Sequence, residues 1–395
     1  MIRRAIGGDR WFTGLLAGAT LLQSASAVAR PMISYRALEI GMPPETLGLV
    51  ATAFAIGPVI LALWVGRRID RHGPFAFLFA AAALQAASAV ALVFVTDTIT
   101  LLIGVAVLGL SQLVFVIANQ SLVGSRSRLE SYDQRFSGLS FVASLGQLIG
   151  PASAGVIAGS ALSAGGNGTG LALLFGATLS MLALPVIVVL RQRDPGPVVV
   201  ANDDPDRPRS VWSILRMPGM APAMLASLTV LSVIDVMVVY LPALGQERGL
   251  SVAVVGALLS VRGAASMVSR LAITGLIRRF GRPRLMIGGL LVAAAAVMSL
   301  AVVPLPLMFV AMAVAGATLG IMQPMTMSWV AARASADVRG MALSLRITGN
   351  RAGQVVIPLA AGSVAAVTGA AGVLAAAGVA VALSAAVVAI RRPEA

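Results

Sequence analysis

The chain alternates between long apolar runs and short polar breaks. Runs fall at about 11–33, 46–65, 75–95, 99–122, 137–160 and 170–190. A second set falls at about 220–241, 251–276, 285–304, 306–330, 340–365 and 369–390. Each run has the ~20 apolar residues that one helix needs to cross a bilayer and is too long for a barrel strand. A backbone surrounded by lipid satisfies its own hydrogen bonds, which makes these runs helices. The pattern predicts an all-α membrane protein of twelve transmembrane helices. Residues 1–190 form a first six-helix bundle, 191–219 a linker and 220–395 a second six-helix bundle.

Composition agrees. Of 395 residues, 58% are hydrophobic and 11% charged, and mean hydropathy is +0.94. Soluble domains carry about 25% charged residues, so a soluble enzyme and a disordered chain are excluded as first readings. With no Cys and one His, His72, thiol chemistry and a multi-histidine metal site are excluded as well. The runs hold no metal-ligand cluster and no nucleophile with a base, and no phosphate-binding glycine loop is present. No enzymatic activity, cofactor or ATP-driven pumping is therefore expected.

The net charge of +14 comes from basic residues that are all Arg. One set of breaks holds nearly all of them. The opposite set holds Arg36 and Arg248, and five lie inside runs: Arg30, Arg262, Arg270, Arg346 and Arg351. This asymmetry predicts that both termini and the linker lie in the cytoplasm. It also argues against nucleic acid as a partner, because the Arg residues are scattered over short segments without interleaved aromatics. Arg3 and Arg4 before an apolar stretch and Ala25-Ser26-Ala27 imitate a signal peptide, but the run continues past that point. The linker, rich in Pro and Asp, reads as an extended connector.

The two halves repeat. Gly66-Arg-Arg-Ile-Asp70-Arg71-His72-Gly73 follows the second run, and Thr274-Gly-Leu-Ile-Arg278-Arg279-Phe280-Gly281 follows the eighth, 208 residues later. Gly146, Gln147, Pro151 and Gly155 in the fifth run return as Gly353, Gln354, Pro358 and Gly362, and Arg126 returns as Arg333, 207 residues later. Two parallel six-helix repeats are one of the architectures of secondary transporters.

On these residues the chain resembles the major facilitator superfamily, which implies two pseudo-symmetric bundles and a small-molecule substrate held between them. Gly66, Asp70, Arg71 and Gly73 match that superfamily's loop signature between helices two and three, with Arg68 and Pro74 departing from it. The loop implies a gate at the cytoplasmic side, with Asp70 pairing with Arg126 or Arg71. Gly146, Gly150, Pro151 and Gly155 resemble the helix-five motif of the twelve-helix drug:proton antiporters, whose members are mostly exporters. That family's Arg in helix four has no counterpart here.

Polar side chains inside runs are costly in lipid and mark candidate sites. Arg346, Asn350 and Gln354 share a face of helix eleven, with Arg351 beside them; Gln147, Gln23 and Asn119 lie on helices five, one and four. Arg262 sits ten residues from the outer end of helix eight, ~15 Å deep. Together these are the expected substrate-binding residues, and Arg262, Arg346 and Arg351 make a candidate anion site. Arg270 is expected to snorkel to the surface. Asp235, about five residues from the outer end of helix seven, is the expected proton-coupling residue, with Arg262 or Arg30 as its partner. The expected function is export of a small organic molecule in exchange for protons across the cytoplasmic membrane. The alternative is proton-coupled import of an organic anion. No obligate protein partner is evident.

Overall fold

The computed structural model describes residues 10–127, 129–194, 196, 211–333 and 339–390. Among the described residues twelve long helices follow one another. They are α1 (Arg10–Glu39), α2 (Leu47–His72), α3 (Pro74–Val93), α4 (Thr98–Arg126), α5 (Leu129–Ser163) and α6 (Gly168–Gln192). Then come α7 (Met220–Glu247), α8 (Val252–Phe280), α9 (Arg282–Ser299) and α10 (Leu305–Arg333). The last segment, Arg339–Ile390, is broken at Gly369, whose φ of 66° and ψ of −170° are not helical. It divides into α11 (339–368) and α12 (370–390). No strand occurs among the described residues. Large apolar side chains such as Ile60, Leu271 and Val367 stand exposed, as suits a multi-pass membrane protein whose solvent is lipid.

Three expectations are corrected. Helix α1 runs six residues past its apolar run, and α7 runs to Glu247 rather than ending near 241. The linker was expected to be extended throughout. Residues 195 and 197–210 lie outside the described residues, but Val211–Leu215 form a short helix. Its Ile214 is fully buried against Met220, Ala223 and Val330. The Arg residues at 3, 4, 128, 207, 209, 391 and 392 also lie outside the described residues.

The chain divides into two compact units. Unit 1 holds the described residues within 1–42, 53–201 and 250–260; unit 2 holds those within 43–52, 202–249 and 261–395. Each unit thus includes one short segment from the other half of the sequence. In unit 1, α1 packs on α5 and α6, and α3 on α4 and α6. Leu15, Leu22, Leu113, Leu122 and Ile187 are buried at its core. In unit 2, α7 and α9 pack on the α11–α12 segment and α10 on α7 and α9.

The repeat is visible in backbone geometry. Gly73 and Gly281 close α2 and α8 with φ of +81° and +74°, which a side chain would strain. Each donates its N–H to the carbonyl four residues back, Ile69 and Ile277. Pro74 and Pro283 then start the next helix at positions where no N–H is needed.

Arg36 and Arg248, the two Arg residues outside the basic breaks, serve matching purposes. Arg36 donates to the Val93 and Val95 carbonyls at 3.0 and 2.6 Å, at and just past the C-terminal end of α3. Arg248 donates to the Val303 carbonyl at 2.7 Å and to the Ala301 carbonyl, beyond α9. Carbonyls left over at a helix C-terminus attract a cation. The neighbouring acids work on helix N-termini. Glu39 accepts from the Thr169 hydroxyl at the start of α6, and Glu247 accepts from the Ala370 N–H at the start of α12, 2.8 Å. One Arg and one Glu per unit therefore join three helices at the end opposite the basic breaks.

Candidate functional site

Helix α5 carries the glycine–proline motif, and its glycines are close-approach points. A Cβ on Gly146 would stand 2.8–2.9 Å from Gln23 and Ser24 of α1, and one on Gly150 2.6–2.9 Å from Ser24 and Ala27. A Cβ on Gly155 would meet Val252, Ala253 and Gly256 of α8 at 3.0–3.1 Å. The backbone of Gly256 in turn abuts the Pro151 carbonyl. In unit 2, Gly48 of α2 abuts the Pro358 carbonyl of α11, and Gly362 the carbonyl of Glu45. These approaches are one contact type used twice.

The buried polar seam of unit 2 lies between α7 and α11. Asp235 is only 5% exposed. Its Oδ2 accepts a hydrogen bond from Gln354 Nε2, and Gln354 Oε1 accepts from Arg351 Nη1 at 3.1 Å. A carboxylate, an amide and a guanidinium thus stand in series. Beside Gln354, Gly353 lies against Leu228 and the Ser232 hydroxyl of α7. Ser232 Oγ and Asn350 Oδ1 are buried without a hydrogen-bond partner among the described residues. Because α7 extends to Glu247, Asp235 lies twelve residues before its end, ~18 Å along the helix. That is deeper than the apolar run implied and near the ~15 Å depth of Arg262. Arg262 is buried on α8, where its backbone abuts Gly316 of α10.

Arg346 is directed elsewhere. Its Nη2 donates to the Gln323 carbonyl and the Thr326 hydroxyl of α10, both at 3.2 Å. Arg270 does not simply snorkel. Pro324 has no N–H for the Gly320 carbonyl four residues back, and Arg270 Nε donates to that carbonyl at 3.2 Å. Both arginines therefore brace α10 at its proline. Sequence reasoning missed Gln323, whose carbonyl accepts from Arg346 and whose Oε1 accepts from Arg270 Nη2 at 3.5 Å. The signal was a proline inside a run with arginines on two neighbouring runs.

In unit 1, Gln23 Oε1 accepts from Gln112 Nε2 at 2.7 Å. Asn119, buried on α4, donates from Nδ2 to the Phe115 carbonyl at 3.0 Å. Both line a cavity of about 160 Å³ with Gln120 and Ser140. Gln147 lies half-buried on α5. Arg30 places its guanidinium 4.8 Å from the ring centre of Phe54.

At the basic end of unit 1, Asp70 and Arg71 close α2 and are exposed, and neither forms an ion pair among the described residues. A Cβ on Gly66 would meet nothing within 4 Å. Arg126 pairs with Asp194 rather than Asp70, through Nε–Oδ1 and Nη2–Oδ2 bonds of 2.8 and 2.7 Å. Asp194 follows the end of α6 and was not foreseen as this partner. Arg135 adds a bond to the Arg126 carbonyl at 2.8 Å and lies 4.9 Å from the Trp11 ring centre. The hydrogen bonds from Arg126 hold the Asp194 carboxyl below the ordinary carboxylate range. A depressed folded-state value means that the pair stabilises the fold above the ordinary carboxylate value, about 4. The contribution is lost as pH falls through the lower folded-state value. Thermal unfolding of detergent-solubilised Asp194→Asn should show less acid sensitivity than the parent chain between pH 7 and 3. An unchanged profile would remove the pair from acid stability.

Comparison with known proteins bears on the family and the fold. The sequence model described as Major Facilitator Superfamily matches residues 15–306 and 225–395. A comparison with curated protein sequences gives no match. Among solved structures, a point mutant of the nucleoside transporter NupG superposes with a TM-score of 0.78 at 13% identity, covering 97% of this chain and 100% of that one. An inward-facing, occupied bacterial homolog of the human lysosomal transporter Spinster gives 0.75 at 15% identity, covering 98% and 97%. At such identity these structures share the fold. With the family model spanning both six-helix halves, the chain belongs to the Major Facilitator Superfamily.

Proposed function

We propose that this transporter exports a small organic molecule across the cytoplasmic membrane by alternating access, in exchange for protons. The observation that carries the coupling is Asp235, the one acid of the described helices far from both helix ends. It is buried and connected to Arg351 through Gln354. Ionised, Asp235 holds the Gln354 amide by a charge-assisted hydrogen bond, and Gln354 holds Arg351. Protonation removes the charge, loosens that series and leaves Arg351 to other partners. A proton and a substrate that both act on this series bind in alternation, as exchange requires.

Export is supported by the glycine–proline motif of α5. Termini in the cytoplasm are supported by the Arg asymmetry. Gln23, Asn119, Gln147, Arg262, Asn350, Arg351 and Gln354 remain the proposed substrate contacts, and Arg346 supports them through α10. The loop from Gly66 to Gly73 is the proposed gate, with Arg126 contributing through Asp194.

Inverted vesicles with an acidic lumen test the direction. Uptake of substrate that collapses with a protonophore supports export. Accumulation only in right-side-out vesicles with acid outside would replace it by anion import, the reading that buried Arg262 favours.

A further inference from the structure

The unit 1 cavity has its own chemistry. It lies among α1, α4 and α5, and none of its lining residues is charged. Its volume of about 160 Å³ is close to the ~150 Å³ of a protein cavity that holds one benzene ring. Phe115 and Phe136 contribute aromatic walls.

Its polar groups are set in a defined order. Gln112 occupies Gln23 Oε1, which turns the other end of that amide into a donor; Gln23 Nε2 donates to no residue among those described. Asn119 has the opposite arrangement. Its Nδ2 gives a hydrogen to Phe115, and its Oδ1 accepts none among the described residues. Asn119 is 4% exposed as a residue, and a bound group that supplies a donor satisfies this oxygen in place of water. The cavity therefore sets the Gln23 donor and the Asn119 acceptor beside aromatic faces, and Gln120 and Ser140 complete a polar lining without charge.

We propose that this cavity is a subsite for an uncharged, single-ring heterocycle that presents a hydrogen-bond donor next to an acceptor, as a lactam does. The ring N–H goes to Asn119 Oδ1 and the ring carbonyl receives Gln23 Nε2–H. A carboxylate-bearing ring is excluded, because the lining holds no cation to offset its desolvation. The role as a substrate subsite rests on the transport reading; the binding rests on the cavity alone.

The test uses the purified full-length chain in detergent, with 2-pyridone as probe. N-methyl-2-pyridone keeps the ring and carbonyl but lacks the donor. Ligand-observed NMR titration should show 2-pyridone binding about tenfold more tightly than the N-methyl analogue, and no binding of benzoate. Asn119→Leu, with a melting temperature confirming that it is folded, should remove the preference. Gln23→Glu retains an acceptor for Gln112 but replaces the donor facing the cavity, and should shift the preference to protonated 2-aminopyridine, which presents two donors. Equal binding of 2-pyridone and its N-methyl analogue, binding of neither, or a preference that survives both substitutions would overturn the proposal. A chain without this preference whose proton-driven transport depends on Asp235 refutes the ring site alone. A chain with the preference that moves no substrate refutes transport alone.

Discussion

Asp235→Asn should abolish proton-driven accumulation in proteoliposomes, lowering the steady-state ratio to about one, because a coupling free energy vanishes with the group that carries it. Downhill exchange of substrate should persist. The substitution suits the site: Asn keeps an oxygen to accept from Gln354 Nε2, so the seam between α7 and α11 is not left with a buried orphan. Asp235→Leu would leave one, at about 1–3 kcal/mol, and would confuse coupling with folding. Gln354→Leu separates the carboxylate from Arg351 while leaving the carboxylate in place. It also removes a proposed substrate contact and the Nε2 donor to Asp235, so it should lower transport and alter its pH dependence. Uphill accumulation by Asp235→Asn with the parent's pH dependence would move the coupling site elsewhere.

Gly150→Val should be the most damaging substitution in the α5 motif. Its Cβ alone would stand 2.6 Å from the Ala27 Cβ and 2.8 Å from the Ser24 carbonyl. Neither neighbour is the far end of a flexible side chain, so α1 and α5 must separate. Overpacking of a well-filled contact costs about 1–3 kcal/mol, and a contact made by backbone belongs at or above the upper end. A large fall in melting temperature and folded yield is expected. Gly66→Ala is the matched control, because nothing lies within 4 Å of the added methyl. In a helix, Ala is about 1 kcal/mol better than Gly, so Gly66→Ala should melt no lower than the parent. A parent-like melting temperature for Gly150→Val would mean that α1 and α5 are not held this close.

Several site features were legible because lipid makes them expensive. A buried acid, a row of amides and arginines inside apolar runs stand out against residues that need no partner. Asp235, Gln354, Arg262 and Asn119 stand out this way as candidates, and each is buried. The partners of these groups were not legible. Asp70 was expected to pair with Arg126 or Arg71, yet Arg126 pairs with Asp194, 68 residues onward. Arg346 shares a helical face with Asn350 and Gln354, yet its long side chain crosses to α10. A helical face specifies where a Cβ starts; it does not specify where a guanidinium several bonds away ends.

From sequence alone came the helix count, the twofold repeat, the membrane class and the family. The first three follow from local periodicity, composition and spacing and the family from the resemblance of its motifs, none of which needs knowledge of what touches what. The tertiary structure decided the rest. It extended α7 and so placed Asp235 deeper, made Arg36 and Arg248 caps for α3 and α9, and set the amides of Gln23 and Asn119 as donor and acceptor. The Asn119 bond to Phe115 is made within one helical turn, and the Arg caps and the Gln23–Gln112 bond are contacts between residues far apart in the chain. A side chain's partner there is fixed by helix packing, whose distances no linear pattern encodes.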